Sequence, residues 1–260
     1  DCIAGLLPRT PELLITILAA WRIGAIYQPL FTAFEAKSID HRITTAQTKL
    51  IVTNDEQRPK LNSLNVPVIV TVHQTGLLSE HDFDFWQSLQ RYSEQCEPVN
   101  RSFDDDFLMM FTSGTTGLAK SVPVPLKAIL AFKGYMTHAV DLREEDMFWN
   151  LADPGWAYGL YYGITGPLSL GHSIIMDERS FNVDQAIELI KKYKVSNLTG
   201  SPTAFRMFFG FKEKFDPSIK QHLRVVSSAG EPLTPEVVNW FKQDLEVNIF
   251  DQYGQTELGM

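Results

Sequence analysis

Short apolar runs alternate with amphipathic stretches along the whole chain. Ile3–Leu7, Ala25–Leu30, Leu50–Thr53 and Val66–Val72 are too short for buried helices and read as strands. Between them, Glu12–Arg22 and Lys37–Gln47 space their apolar residues as a helix face does. The order repeats further on. Phe107–Phe111, Met147–Leu151, Ser173–Met176, Val195–Thr199, Leu223–Ser227 and Val247–Phe250 read as strands. Phe85–Tyr92, Leu126–Val140, Val183–Tyr193 and Pro235–Lys242 read as helices. Ser201-Pro202 pairs an N-cap hydroxyl with a first-turn proline, so it starts another helix. Near-continuous apolar strands belong to parallel sheets covered on both faces. The alternation predicts an α/β fold of two mainly parallel sheets flanked by helices, because roughly ten strands suit two sheets better than one. A break between the loop after Phe111 and Asp146 divides the chain into a first subdomain, 1–140, and a second, 141–260.

Composition narrows the function. Hydrophobic residues make up 44 %, enough for a core and too many for a disordered chain. Lys and Arg number 23 and Asp and Glu 31, a formal charge of −8, which argues against binding nucleic acid through bulk charge. The two cysteines, Cys2 and Cys96, form no disulfide framework and no cysteine metal site, so a reduced, cytoplasmic setting is expected. The longest apolar run, Leu13–Trp21, falls well short of the roughly 20 residues that span a bilayer. No stable membrane insertion is expected. The oligomeric state is left open. The chain starts at Asp1 and stops at Met260, just after a dense motif, and so reads as part of a longer protein.

Three segments carry chemistry. Thr112-Ser113-Gly114-Thr115-Thr116-Gly117-Leu118-Ala119-Lys120 follows a strand. Its glycines let backbone N–H groups turn toward an anion, its hydroxyls add neutral donors, and Lys120 adds a mobile charge. This is phosphate-holding chemistry, but not a Walker A loop, since two residues separate Gly117 from Lys120. Ser228-Ala229-Gly230-Glu231-Pro232-Leu233 is a glycine turn between strand and helix, where backbone can approach a flat ligand. Asp251-Gln252-Tyr253-Gly254-Gln255-Thr256-Glu257 gathers acids, amides, a phenol and a hydroxyl at the C-terminal end of a strand, where open α/β sheets bind ligands. Seen alone, the second is an ordinary βα turn and Glu257 a solvated acid. The six histidines are scattered, and His138 and His172 read as structural.

Together these segments resemble the adenylate-forming superfamily: acyl-CoA synthetases, adenylation domains of nonribosomal peptide synthesis, and luciferases. The loop is similar to the family's Thr-Ser-Gly-Thr-Thr-Gly-x-x-Lys signature, except that Ser121 replaces the usual Gly. Two further segments resemble family motifs. Ala152-Asp153-Pro154-Gly155-Trp156-Ala157-Tyr158-Gly159 is similar to the acyl-pocket segment of acetyl- and medium-chain acyl-CoA synthetases. Thr199-Gly200-Ser201-Pro202-Thr203 is similar to a Gly-Ala-Pro-Thr turn.

The resemblance implies that Thr112–Gly117 and Lys120 hold the β- and γ-phosphates of ATP. Gly230, Glu231 and Pro232 would wall the adenine, and Asp251, Gln252, Tyr253, Gly254 and Gln255 would complete the nucleotide site. Thr256 would bind the α-phosphate and Glu257 would hold Mg²⁺. Catalysis would fall to Thr256, Glu257 and Lys120. Trp156, Ala157, Tyr158 and Gly254 would line the acyl pocket. Acetate-specific members carry a Trp at the position of Gly254, so an acid longer than acetate is expected. The implied reaction is ATP-dependent formation of an acyl-adenylate, then transfer to CoA, with ATP, CoA and a carboxylic acid as small-molecule partners, a place in fatty acid metabolism. Transfer to a carrier protein, or an inactive nucleotide-binding homologue, remain alternatives. The resemblance also places a ribose-binding Asp, a hinge and a C-terminal domain with the adenylation lysine beyond Met260. On that expectation these 260 residues alone do not turn over.

Overall fold

A computed structural model describes residues 1–72, 82–112, 117–215 and 217–258. By contacts the chain separates into two compact units, Asp1–Lys127 and Ala128–Met260. Each carries one sheet, as the alternation predicts.

In the first unit the elements run β1 (Cys2–Leu6), α1 (Pro11–Arg22), β2 (Ile26–Pro29), α2 (Ala36–Ala46), β3 (Thr48–Asn54), β4 (Val68–Val72), β5 (Phe83–Asp84), α3 (Phe85–Leu89), β6 (Asp106–Thr112) and β7 (Lys120–Pro125). The strand order is β5-β4-β3-β1-β2-β6-β7. All neighbours are parallel except β6 and β7, which pair antiparallel with Thr112 opposite Lys120. Helix α1 buries Leu13, Thr16, Ile17 and Ala20, the three-and-four spacing that makes it amphipathic. A core of Ala4, Leu6, Leu30, Ile39, Ile43, Ile51 and Leu61 joins α2 to the sheet. Strand β7 is absent from the sequence reading. Its Pro123 and Pro125 argue against a strand, yet as the terminal strand it tolerates missing donors.

In the second unit α4 (Ala128–His138), β8 (Phe148–Asn150), α5 (Ala157–Leu160), a π-helical turn (Tyr161–Thr165), α6 (Gly166–Ser169), α7 (Val183–Tyr193), β9 (Asn197–Gly200), α8 (Pro202–Gly210), β10 (Val225–Ala229), α9 (Pro235–Gln243) and β11 (Asn248–Gln252) follow. Its four strands are all parallel, in the order β11-β10-β9-β8. Alternation sorts the side chains. Trp149, Leu198, Val226 and Ile249 share one register row and face a core built with Ile187, Ile190, Phe205, Phe208, Trp240 and Phe241 of the helices. Asn150, Thr199, Ser227 and Phe250 form the next row and point to the opposite face.

Two local readings are corrected. Ser173–Met176 is not a strand. Its apolar character serves packing instead, with Ile175 set against the helix core. The continuous helical segment from Ala157 to Ser169 was not expected, because its glycines and proline have poor helix propensity. Tertiary packing overrides that propensity. Phe132 of α4 stacks on Tyr161 with ring centroids 4.5 Å apart, and Tyr135 lies 4.1 Å from Tyr162.

Candidate functional site

In the first unit, β6 ends at Thr112 and the chain returns as β7 at Lys120. Ser113, Gly114, Thr115 and Thr116 lie outside the described residues. Of the flanking groups, Thr112 is half-buried and Lys120 exposed. The exit of the segment is tied down by a residue the sequence reading passed over. His41 Nε2, on α2, lies 2.8 Å from the Ala119 carbonyl and donates to it. The strand pairing and this bond therefore fix both ends of the segment.

In the second unit the remaining motifs collect at the C-terminal ends of β10 and β11. Strand β10 is wholly buried and emerges at Gly230, Glu231 and Pro232, all exposed. Gly230 has φ +107°, a conformation that side chains with a Cβ rarely adopt. Glu231 is held from helix α8. Its carboxylate accepts from the Thr203 hydroxyl, and from Arg206 Nη2 at 2.8 Å. Arg206 also donates to Thr203 Oγ1 at 2.8 Å. The Thr203 hydrogen bond and the Arg206 charge hold the Glu231 carboxyl below its ordinary range. The Gly-Glu-Pro turn is thus braced by the start of the helix that Ser201 caps.

Asp251 closes the other side. Its Oδ2 accepts from the Leu233 backbone N–H at 3.1 Å, and a carboxylate keeps a second oxygen for another donor. Tyr253 is 80 % exposed, with its hydroxyl accepting from Gln255 Nε2 at 2.8 Å, so the ring presents an open face. Thr256 and Glu257 sit in a short 3-10 turn, Thr256 half-buried and Glu257 exposed. Gln252 differs from its neighbours. Its amide is engaged inward, accepting from the Tyr135 hydroxyl and donating to the Ala139 carbonyl at 2.8 Å.

The Trp156 segment is shaped by its turn. Asp153 Oδ1 accepts from the Gly155 N–H at 2.8 Å. A Cβ on Gly159 would stand 2.1 Å from the Asp153 carbonyl oxygen, so only glycine lets α5 start here. Trp156 is 44 % exposed and is not core packing. Ala157 is buried. Burial raises the Tyr158 phenol above its ordinary range. The Tyr161 phenol is raised by burial, then by the charges of Tyr162 and Glu257.

Residues 1–260, the whole chain, match the AMP-binding enzyme family. The chain belongs to that family. Its relatives include acetyl-coenzyme A synthetase of Methanothrix thermoacetophila, 32 % identical over 290 residues, covering 100 % of this chain and 43 % of the relative. Acetyl-coenzyme A synthetase of Bacillus subtilis is 32 % identical and matches 97 % of this chain and 45 % of its own length. The crystal structure of Brucella canis acyl-CoA synthetase superposes with a TM-score of 0.94 at 53 % identity, over 100 % of this chain and 48 % of that one. The chain therefore spans less than half the length of these relatives.

In this AMP-binding family member three residues that support the motif segments were missed by sequence reasoning: His41, Arg206 and Tyr135. Arg206 had a signal, its spacing of three from Thr203 on a helix begun by Ser201-Pro202. His41 and Tyr135 had none, because each reaches its partner from a distant element. Among the described residues no group of three or more His, Cys, Asp or Glu forms a metal cage, and no helix is long and apolar enough to cross a membrane.

Proposed function

We propose that the protein containing this chain is an AMP-forming acyl-CoA synthetase that activates a short- to medium-chain carboxylic acid. The observation that carries the reading is the match over the whole chain, at 53 % identity, to a solved acyl-CoA synthetase.

In the first step an acid oxygen attacks the α-phosphorus of ATP, pyrophosphate leaves and an acyl-adenylate forms. In the second, the CoA thiolate attacks the acyl carbon and AMP leaves. The first step joins two anions, so its barrier is largely electrostatic. No general base is needed, because the acid is already ionised. Thr112, Lys120 and the loop between them hold the β- and γ-phosphates. Thr256 donates to the α-phosphate. The Gly230–Pro232 turn and the open face of Tyr253 hold the adenine, and Asp251 accepts from its amino group.

Glu257 offers one exposed carboxylate, which fits the protein share of a Mg²⁺ shell completed by phosphate oxygens and water. Bound there, Mg²⁺ supplies positive charge to the phosphates. The net charge of −8 is compatible with anionic ligands, because backbone N–H groups, hydroxyls and Lys120 meet them locally.

Gly254, with Trp156, Ala157 and Tyr158, sets the acid's length. With no side chain at Gly254, the pocket has room for several methylenes, each worth about 0.8 kcal/mol when buried. The test is to incubate the whole protein with ATP, Mg²⁺ and straight-chain acids and to detect the acyl-adenylate by mass spectrometry. Acyl-AMP with butyrate to octanoate, and acyl-CoA when CoA is added, is the expected result. No acyl-AMP with any acid refutes the reading.

A further inference from the structure

Tyr135 belongs to no motif, yet its hydroxyl bonds to Gln252, the residue before Tyr253. Strand β11 lies at the sheet edge, and among the described residues β10 is its one strand neighbour. Its last residue, Gln252, immediately precedes Tyr253. The Gln252 amide is clamped at both ends by α4 and the residue after it. The Tyr135 hydroxyl donates to Oε1, and Nε2 donates to the Ala139 carbonyl at 2.8 Å. The side chain of an edge strand, normally free to water, is thereby fixed in direction just before the chain turns into Tyr253–Glu257.

Tyr135 is itself fixed. Its ring centroid is 4.1 Å from that of Tyr162, on the π-helical turn, and Tyr158 packs edge-on to Tyr162 at 5.9 Å. Burial, followed by Tyr158 and Tyr162, raises its pKa. Such π-helical turns insert one extra residue and recur at functional sites. One phenol thus touches the strand leading to Tyr253 and packs on the tyrosines that continue from Trp156.

From this geometry we infer that Tyr135 is a positioning residue that sets the nucleotide motif Tyr253–Glu257 through Gln252. The inference rests on the nucleotide role proposed for that motif. The variant Tyr135→Phe keeps the ring stacking and removes only the donor.

In the whole protein, ATP affinity is measured by calorimetry without acid, beside the thermal midpoint. The expected result is a weakening of ATP binding by roughly tenfold, the size of one hydrogen bond, with the midpoint lowered by no more than a few degrees. Gln252→Leu, which also loses the bond to the Ala139 carbonyl, weakens binding at least as much, and the double variant is no worse than Gln252→Leu alone, because Tyr135 acts through Gln252. Unchanged ATP affinity in Tyr135→Phe, a lowered midpoint with unchanged affinity, or single effects that multiply in the double variant each overturn the inference. A wild type that binds ATP but forms no acyl-adenylate refutes the synthetase reading and leaves this comparison readable. A wild type that binds no ATP refutes both.

Discussion

The Asp251 carboxylate accepts a hydrogen bond from the backbone N–H of Leu233 at 3.1 Å. It joins the end of β11 to the turn after β10, so the two segments proposed to hold adenine are one braced unit. Asp251→Ala removes the acceptor from an exposed position. The expected loss is about 1 kcal/mol of stability, or roughly 2–4 °C in the thermal midpoint, with weaker ATP binding. Asp251→Asn keeps an acceptor and should lose less than half as much of both. Equal losses for the two substitutions would show that the hydrogen bond is not what matters.

Two glycines give opposite tests. A Cβ at Gly159 meets the Asp153 carbonyl oxygen at 2.1 Å, a contact with backbone that cannot rotate away. Gly159→Ala is expected to cost about 3 kcal/mol or more and to disrupt the Trp156 segment. At Gly230 no atom of the described residues would lie within 4 Å of an added Cβ, and only the φ of +107° resists substitution. Gly230→Ala should cost about 1–3 kcal/mol through the backbone alone. Chemical denaturation of the two variants, each beside wild type, measures the difference.

Arg224 anchors the far end of the second sheet. It donates to Asp146, whose side chain is 1 % exposed, and to Asp141. Burial alone would raise the Asp146 carboxyl. Hydrogen bonds from Arg224, Ser196 and the Arg143 backbone N–H overcome this and hold it below the ordinary 3.8. A carboxyl whose folded value is depressed stabilises the protein above its unfolded value, and the contribution fades as pH falls toward the folded value. Wild type should therefore lose stability as pH drops below about 4. Arg224→Met strands a buried charge and should cost about 3–5 kcal/mol at neutral pH. Below pH about 4 its deficit relative to wild type should shrink, as Asp146 takes up a proton. A deficit independent of pH would contradict the assignment.

Gly254 is the proposed measure of acid length. Gly254→Trp should shift preference toward acetate and raise the KM for hexanoate by roughly tenfold or more, since several buried methylenes lose their space. An unchanged chain-length profile would remove Gly254 from the acyl pocket.

Much of this was legible in the sequence because periodicity and burial are local. Helix α7 starts and ends where its spacing indicates, at Val183 and Tyr193, with Asn182 capping it. The two-sheet α/β fold followed from the same alternation. Propensity misled at Ala157–Ser169, where glycines allow close packing rather than ending a helix. A Cβ on Gly166, for instance, would stand 2.7 Å from Met136 Cγ. The motif residues were recognisable by type and order. Their supports were not, since His41, Arg206 and Tyr135 act across 78, 25 and 117 residues of chain. Gln252 shows the same limit: it sits inside a motif, but its side chain serves the scaffold.

The most direct test is ATP–pyrophosphate exchange by the whole protein with a series of acids from acetate to octanoate. Exchange that depends on added acid, with the highest kcat/KM at an acid longer than acetate, is the predicted result. Exchange with acetate alone would contradict the acyl-length assignment, and no exchange with any acid would contradict the synthetase reading itself.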